Sequence, residues 1–330
     1  MCPWSELRPD HAIMSWDTFL HVTPYLHLTD SVDLTGGGEP LKNPHILEMV
    51  RVAKQAGCEV GFSTNGTGMV KALSKQLIQL ELDWISFSVD AASNRLYERI
   101  RRGAHFQTVI DNISALRDLK QAHQSKVPRM MMVYVMMTGE QENYQELPAF
   151  IELSHRLGVE QVVAKNLDVI LKDGDDERRL FSHDGQPASE VESCMAEARL
   201  CAEKLGIGLR FYAMHPQEVT ICEHNPLQSV FINWEGHVSP CITLSYADNR
   251  VFDGRRIHVP CQRFGDIRSE TLTDIWEKPL YRQFRRFYEA RLRVERQATI
   301  DHMLGGPAET NLPLPPAPEG CLSCYYLYGI

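Results

Sequence analysis

Between residues 31 and 170 the spacing of apolar positions switches repeatedly between the strand and helix periods. Ser31 to Thr35 reads as a short strand that runs into Gly36-Gly37-Gly38-Glu39-Pro40. From Pro44 to Gln55 the apolar residues Ile46, Leu47, Val50 and Ala53 recur at helical spacing, and Gly57 ends the run. Glu59 to Ser63 predicts a second strand, closed by Thr64-Asn65-Gly66, followed by a helix from Val70 to about Leu80. Trp84 to Val89 predicts a third strand. Helices are expected near Ser93 to Ile100 and, past Gly103, from Phe106 to about Lys120. Arg129 to Met137 is the next strand, Tyr144 to Arg156 a helix stopped by Gly158, and Val159 to Leu167 another strand.

Strands alternating with helices of this kind predict βαβ units and a parallel sheet. Polar or glycine-rich turns follow several strand C-termini, where such folds place their sites. Asp173 to Arg179 is charged and reads as a solvated connection. Ser189 to Leu205 predicts one more helix and Leu209 to Tyr212 a last strand. After about Pro216 the alternation stops. Val230 to Trp234, Glu235-Gly236 and His237 to Ser239 predict a hairpin. Thr271 to about Arg293 predicts one amphipathic helix. Gly305 to Gly320 is rich in Pro and Gly and reads as an extended linker to Cys321-Leu322-Ser323-Cys324.

Composition narrows the class. Lys and Arg total 34 against 43 Asp and Glu, a net charge of −9, which repels a phosphate backbone and argues against a general nucleic-acid binder. No uncharged apolar run is long enough to span a bilayer, so no membrane role is expected. The start, Met1-Cys2-Pro3-Trp4, lacks a basic region followed by an apolar core, and a cytoplasmic location is expected. There are nine cysteines, an odd number in a long chain, which favours metal ligation or buried thiols over a disulfide scaffold.

The chemistry concentrates in two places. Cys222 and Cys241 flank the predicted hairpin, and Cys321 with Cys324 forms a C-x2-C pair. Such a turn aims two thiolates at one point, and two more can complete an S4 site for zinc or an iron–sulfur cluster. The structural alternative is a set of buried thiols. Cys261 is expected to be non-ligating, and Cys58, Cys194 and Cys201 to be core residues. The second place is the row of strand ends Gly36-Gly37-Gly38-Glu39-Pro40, Ser63-Thr64-Asn65-Gly66 and Ser86-Phe87-Ser88-Val89-Asp90, which together predict a pocket for a polar cofactor. Met130, Met131, Met132, Met136 and Met137 read as adaptable core filler, and the histidines show no metal spacing.

Gly37-Gly38-Glu39-Pro40, Ser63-Thr64-Asn65-Gly66, Phe87-Ser88-Val89-Asp90 and Ile100-Arg101-Arg102-Gly103, in this order and spacing, resemble the radical S-adenosylmethionine (radical SAM) superfamily. Cys222, Gly236, Cys241, Phe264-Gly265-Asp266-Ile267 and the Leu272 to Trp276 helix resemble its SPASM or twitch extension. The resemblance implies an α/β fold: a partial (β/α)6 TIM-like barrel over residues 1–215, lacking its first strand, and a small Cys-rich α+β domain over residues 216–330. It implies S-adenosyl-L-methionine as cofactor, with Gly37, Gly38 and Glu39 holding the methionine amino group. Asn65, Ser88 and Asp90 would line the ribose and carboxylate region, with Arg101 on the carboxylate. Cys222, Cys241, Cys321 and Cys324 would hold one auxiliary 4Fe–4S cluster.

Cys2 resembles the third cysteine of the family's C-x3-C-x2-C loop, whose cluster cleaves the sulfonium to a 5′-deoxyadenosyl radical. The first two cysteines of that loop and the first strand are absent from this sequence, so an N-terminally truncated chain with an incomplete 4Fe–4S site is expected. The implied partners are an electron donor such as flavodoxin or ferredoxin and a peptide, protein or small-molecule substrate. The alternative reading is an inert relative that binds S-adenosylmethionine or a peptide, with zinc as a structural clip.

Overall fold

The computed structural model describes residues 12–172, 174–181, 188–305 and 313–330. Cys2, and the expectation of a cluster loop attached to it, lies outside the described residues, as does part of the predicted linker.

Six strands, β1 (Ser31–Asp33), β2 (Glu59–Thr64), β3 (Trp84–Ser88), β4 (Arg129–Met136), β5 (Gln161–Asn166) and β6 (Gly208–Phe211), form one sheet. All neighbours are parallel and the spatial order follows the sequence order. Among the described residues β6 does not pair with β1, so the sheet is an open arc. A short helix, α1 (Trp16–Leu20), precedes it, and the crossovers are α2 (Ile46–Gln55), α3 (Lys71–Gln79), α4 (Asn94–Ile100) with α5 (Phe106–Ala122), α6 (Leu147–Arg156) and α7 (Ser189–Leu205). This is the α/β architecture that the alternation of periods predicts.

The pleat sorts side chains to two faces. On β4, Met130, Met132, Tyr134 and Met136 are fully buried against the helices, whereas Met131, Val133 and Val135 stay half-buried on the concave face. Met137 joins the buried set, so four of the five methionines are core filler. Each such side chain, fully buried, contributes about 1.5–3 kcal/mol. On the concave face Gly61 and Trp84 are register partners. A Cβ on Gly61 would lie 2.1 Å from the Trp84 ring, so the indole lies flat over bare backbone.

Three expectations need correction. Tyr144–Glu146 is a 3-10 turn and the α-helix begins at Leu147, because Pro148 suits a first helical turn. The helix expected from Thr271 is two: α8 (Leu272–Glu277) and α9 (Pro279–Met303). Pro279 forces Lys278 out of the helical region, to φ −55°, ψ 141°. Asp175–Arg178 is a 3-10 turn, not a solvated loop. Its charges are consumed locally, Arg178 on Asp175 and Arg179 on Asp176 at 3.2 Å each, and Arg179 also donates to the Tyr325 hydroxyl (2.9 Å).

The C-terminal part is α+β. β7 (Phe231–Ile232) and β8 (His237–Ser239) make the predicted hairpin, and β11 (Gly265–Asp266) adds to its other side. A second hairpin, β9 (Asp248–Phe252) with β10 (Arg255–Val259), turns at Asp253-Gly254, both at positive φ. This part has its own core, including Val238, Leu244, Ile267, Ile275, Tyr281 and Tyr288. A third cluster sews it to the sheet: Leu167, Ile170 and Phe181 meet Val251, Tyr325 and Ile330. No described helix is long and apolar enough to cross a membrane.

Candidate cofactor sites

The first site is built on the C-terminal ends of β1 to β3. Gly37 has φ +78°, a conformation glycine adopts without strain, and around Gly36 a Cβ would meet nothing within 4 Å. Glu39 ties this loop to the next. Its Oε1 accepts from the Leu41 amide (3.1 Å) and the Thr64 hydroxyl (2.6 Å), and its Oε2 from the Asn65 amide (2.8 Å). The Ser63 amide donates to Thr35 Oγ1 at 2.9 Å. Asn65 turns its Oδ1 to Thr67, accepting from the amide (2.9 Å) and the hydroxyl (2.6 Å). Ser88 ends β3, half-buried on the concave face. Glu39, Asn65 and the glycine loop are thus held as one unit, with Gly38 exposed beside it. Such a loop offers carbonyls and amides to a charged amino-acid group.

Asp90 and Arg101 meet each other. Asp90 is fully buried at φ +65°, and its Oδ2 accepts from Arg101 Nε (2.8 Å) and Nη2 (2.5 Å). Its Oδ1 accepts from the Val135 amide at 2.8 Å. Asn143, also buried, donates to the carbonyls of Asp90 (3.0 Å) and Val135 (2.8 Å). Burying an ion pair is costly unless other hydrogen bonds support it; here the Val135 amide supports the Asp90 carboxylate and Arg101 stays partly exposed. Nothing in the periodicity marked Asn143.

The second site gathers the C-terminal cysteines. The stretch from Ala213 to Val219 runs beside the chain end: Ala213, Gln217 and Val219 amides donate to the carbonyls of Gly329 (3.2 Å), Tyr328 (3.0 Å) and Leu327 (2.8 Å). This ladder carries Cys222 toward Cys324. The Cys324 amide donates to the Cys321 carbonyl (3.0 Å), closing the C-x2-C turn. Cys222, Cys241, Cys321 and Cys324 line one cavity, shared with His224 and Tyr288. Cys261 is not in its wall; its thiol donates to the Ser245 carbonyl at 3.1 Å. Cys58 is buried in the sheet's core, and Cys194 and Cys201 pack half-buried against it.

Burial, reinforced by the neighbouring Cys324, pushes the Cys222 thiol up to about 11. Burial pushes Cys241 up to about 12 and raises Cys321 and Cys324 as well. Four buried thiols repel one another as thiolates unless a cationic group compensates. His224 Nε2, buried in this wall, has no hydrogen-bond partner, and the Tyr288 hydroxyl faces the Cys222 and Cys321 thiols. The donor set therefore fits an iron–sulfur group, whose sulfides accept hydrogen bonds. Among the described residues no three His, Cys, Asp or Glu side chains converge on a single-ion site.

A network reaches the cysteine cavity from the end of β5. Lys165, near the end of β5, reaches Asp168 Oδ2 (2.5 Å) and the Tyr326 hydroxyl (3.0 Å), and Tyr326 also donates to Asp168. Burial lowers the Lys165 pKa but Asp168 outweighs it, so the ammonium is held charged. The His224 and Tyr326 rings sit 4.6 Å apart, centroid to centroid, both in the cysteine cavity. His224 and Tyr326 each lie two residues past a cysteine, the one clue that could have singled them out.

Two family models match this chain. Residues 2–154 match the radical SAM superfamily and residues 222–298 match SPASM, an iron–sulfur cluster-binding domain. Cys321 and Cys324 fall beyond the second match. A tungsten-containing aldehyde ferredoxin oxidoreductase cofactor-modifying protein of Pyrococcus furiosus is 24% identical over 291 residues, 86% of this chain and 78% of that protein. A probable GTP 3′,8-cyclase of Saccharolobus islandicus is 32% identical over 164 residues, 49% of this chain and 50% of the cyclase. Among solved structures, Streptococcus suis SuiB bound to S-adenosylmethionine superposes with a TM-score of 0.59 at 13% identity, covering 81% of this chain. The same protein has been solved with its precursor peptide SuiA, with a TM-score of 0.50 at 11% identity and 91% of this chain covered. The chain spans about 60% of the length of SuiB. Its parallel α/β sheet and the two family matches, which together take in most of the sequence, make it a member of the radical SAM superfamily with a C-terminal SPASM domain.

Proposed function

We propose that this protein is a radical SAM enzyme that abstracts hydrogen from a peptide, protein or small-molecule substrate, with residues 1–215 housing the radical chemistry and 216–330 an auxiliary 4Fe–4S cluster. The observation that carries this reading is the convergence of Cys222, Cys241, Cys321 and Cys324 on one cavity. When bound, S-adenosylmethionine at a reduced cluster supplies the 5′-deoxyadenosyl radical. Gly37, Gly38 and Glu39 take its amino group, and Asn65 and Ser88 face its ribose. Asp90 fixes Arg101 through Nε and Nη2, which leaves Nη1 for the cofactor carboxylate. Cys2 is one ligand of the radical-site cluster. A flavodoxin or ferredoxin supplies the electron. The peptide complex of SuiB favours a peptide substrate, and the name of the Pyrococcus relative favours a cofactor.

Anaerobic reconstitution of the whole chain with iron and sulfide is the test. A Cys2→Ser variant should still bind about four irons with visible iron–sulfur absorbance. Cys241→Ser in that background should lose most of both. Colourless, stoichiometric zinc uptake instead would make the site a structural clip. Formation of 5′-deoxyadenosine by a chain that carries all three cysteines of the cluster loop, with a flavodoxin and candidate peptides present, then tests the chemistry, and its absence with both clusters loaded would defeat the enzymatic reading.

A further inference from the structure

Arg250 and Asp248 are an ion pair with no part in the chemistry described so far. They stand two apart on β9, so their side chains share one face. Both are almost fully buried, with side-chain exposures of 5% and 2%. The pair is bidentate: Arg250 Nε donates to Asp248 Oδ1 at 2.8 Å and Nη2 to Oδ2 at 2.6 Å. Nη2 also donates to the Thr243 carbonyl at 3.2 Å. Thr243 is the link to the cysteines. Its hydroxyl lies 3.0 Å from the Cys241 sulfur, and it lines the cavity of the four thiols. The Arg250 charge is felt at Cys324, where it opposes the effect of burial, and at Cys241.

A buried ion pair is weak evidence for stability, because apolar residues of similar volume often serve as well or better. Its position explains it better. A fixed cation next to a redox group stabilises the reduced, more negative state, and a fixed anion does the reverse. Charge and hydrogen bonding around the ligating sulfurs are the means by which a protein sets the potential of an iron–sulfur cluster.

We propose that Arg250 and Asp248 are positioning residues that set the reduction potential of the auxiliary cluster, Arg250 raising it and Asp248 moderating that effect. The inference rests on the reading that the four cysteines hold a cluster.

The test is a redox titration of the whole, cluster-loaded chain, followed by electron paramagnetic resonance, with iron and sulfide content measured in parallel. Arg250→Gln should shift the auxiliary midpoint to more negative potential, and Asp248→Asn to more positive. Arg250→Lys, which keeps the charge but loses the fork, should stay near the wild type. Opposite signs from two partners of one pair are not what a general loosening of structure produces. Shifts in the same direction, or unchanged midpoints in loaded variants, would overturn the proposal. If the single variants do not fold, the double variant Arg250→Met/Asp248→Leu decides. A smaller negative shift than that expected from losing Arg250 alone supports the proposal, and an unchanged midpoint refutes it. Wild-type protein that takes up no iron would instead remove the cluster reading itself.

Discussion

A buried thiol is a poor ligand until it loses its proton, and the four cysteines of the C-terminal cavity all have raised pKa values. Near neutral pH they are protonated, so each must release a proton as it binds. Metal uptake by the apo-protein should therefore strengthen steadily between pH 7 and 9, by at least about tenfold per unit for each proton released. Reconstitution of the apo chain with iron and sulfide at pH 7, 8 and 9, read from iron–sulfur absorbance, would check this; a flat profile would mean that the thiols are already ionised. That the four cysteines gather at one cavity was legible in the sequence, because residue type and spacing can be read there. Glu39 was singled out for a ligand, and its hold on Thr64 and Asn65 was not foreseen. Arg250 and Lys165 gave no signal and Tyr326 only its place two residues past a cysteine, because their contacts exist only once segments distant in sequence have docked. Asp90 and Arg101 were singled out as two separate contacts with a ligand, and the fold joins them to each other.

At the scale of the element, strand pairing sets what a single side chain can do. Gly61 and Trp84 face each other across two parallel strands whose backbones are fixed by their neighbours on both sides. Gly61→Ala would drive a methyl group into the indole, and should destabilise the protein by about 1–3 kcal/mol in denaturant titrations followed by Trp fluorescence. Gly61→Ala combined with Trp84→Leu should cost less than the sum of the two changes, since one relieves the clash made by the other. The six strands were readable because short apolar runs interrupt the helical spacing and end at polar or glycine turns; β1, only three residues long, was marked by the glycines that follow it. The β9–β10 hairpin was overlooked although Asp253-Gly254 is a strong turn signal, because the residues around it are mostly charged or polar and mask the alternation. The break at Pro279 was also readable in principle and was hidden by a helical pattern that continues on both sides.

At the scale of the whole molecule, two cores are joined by a small aromatic and aliphatic seam. Phe181 meets the Tyr325 ring edge-on at 4.8 Å, and the Tyr325 hydroxyl takes hydrogen bonds from Arg179 (2.9 Å) and the Asp253 amide (3.1 Å). Phe181→Ala removes the largest sheet-side side chain of this seam, at a cost of about 3–5 kcal/mol. Thermal unfolding should then separate into two transitions; one cooperative transition at a lower temperature would mean that the cores depend on each other more than the seam suggests. The ladder between residues 213–219 and 327–329 has a further consequence. It brings together cysteines about a hundred positions apart, so a ribosome must pass Cys324 before the full thiol quartet can exist. If the quartet holds the proposed cluster, iron delivered to a nascent chain would find only part of its binding site, and colour in the purified protein would report that the segment carrying Cys324 has found its place.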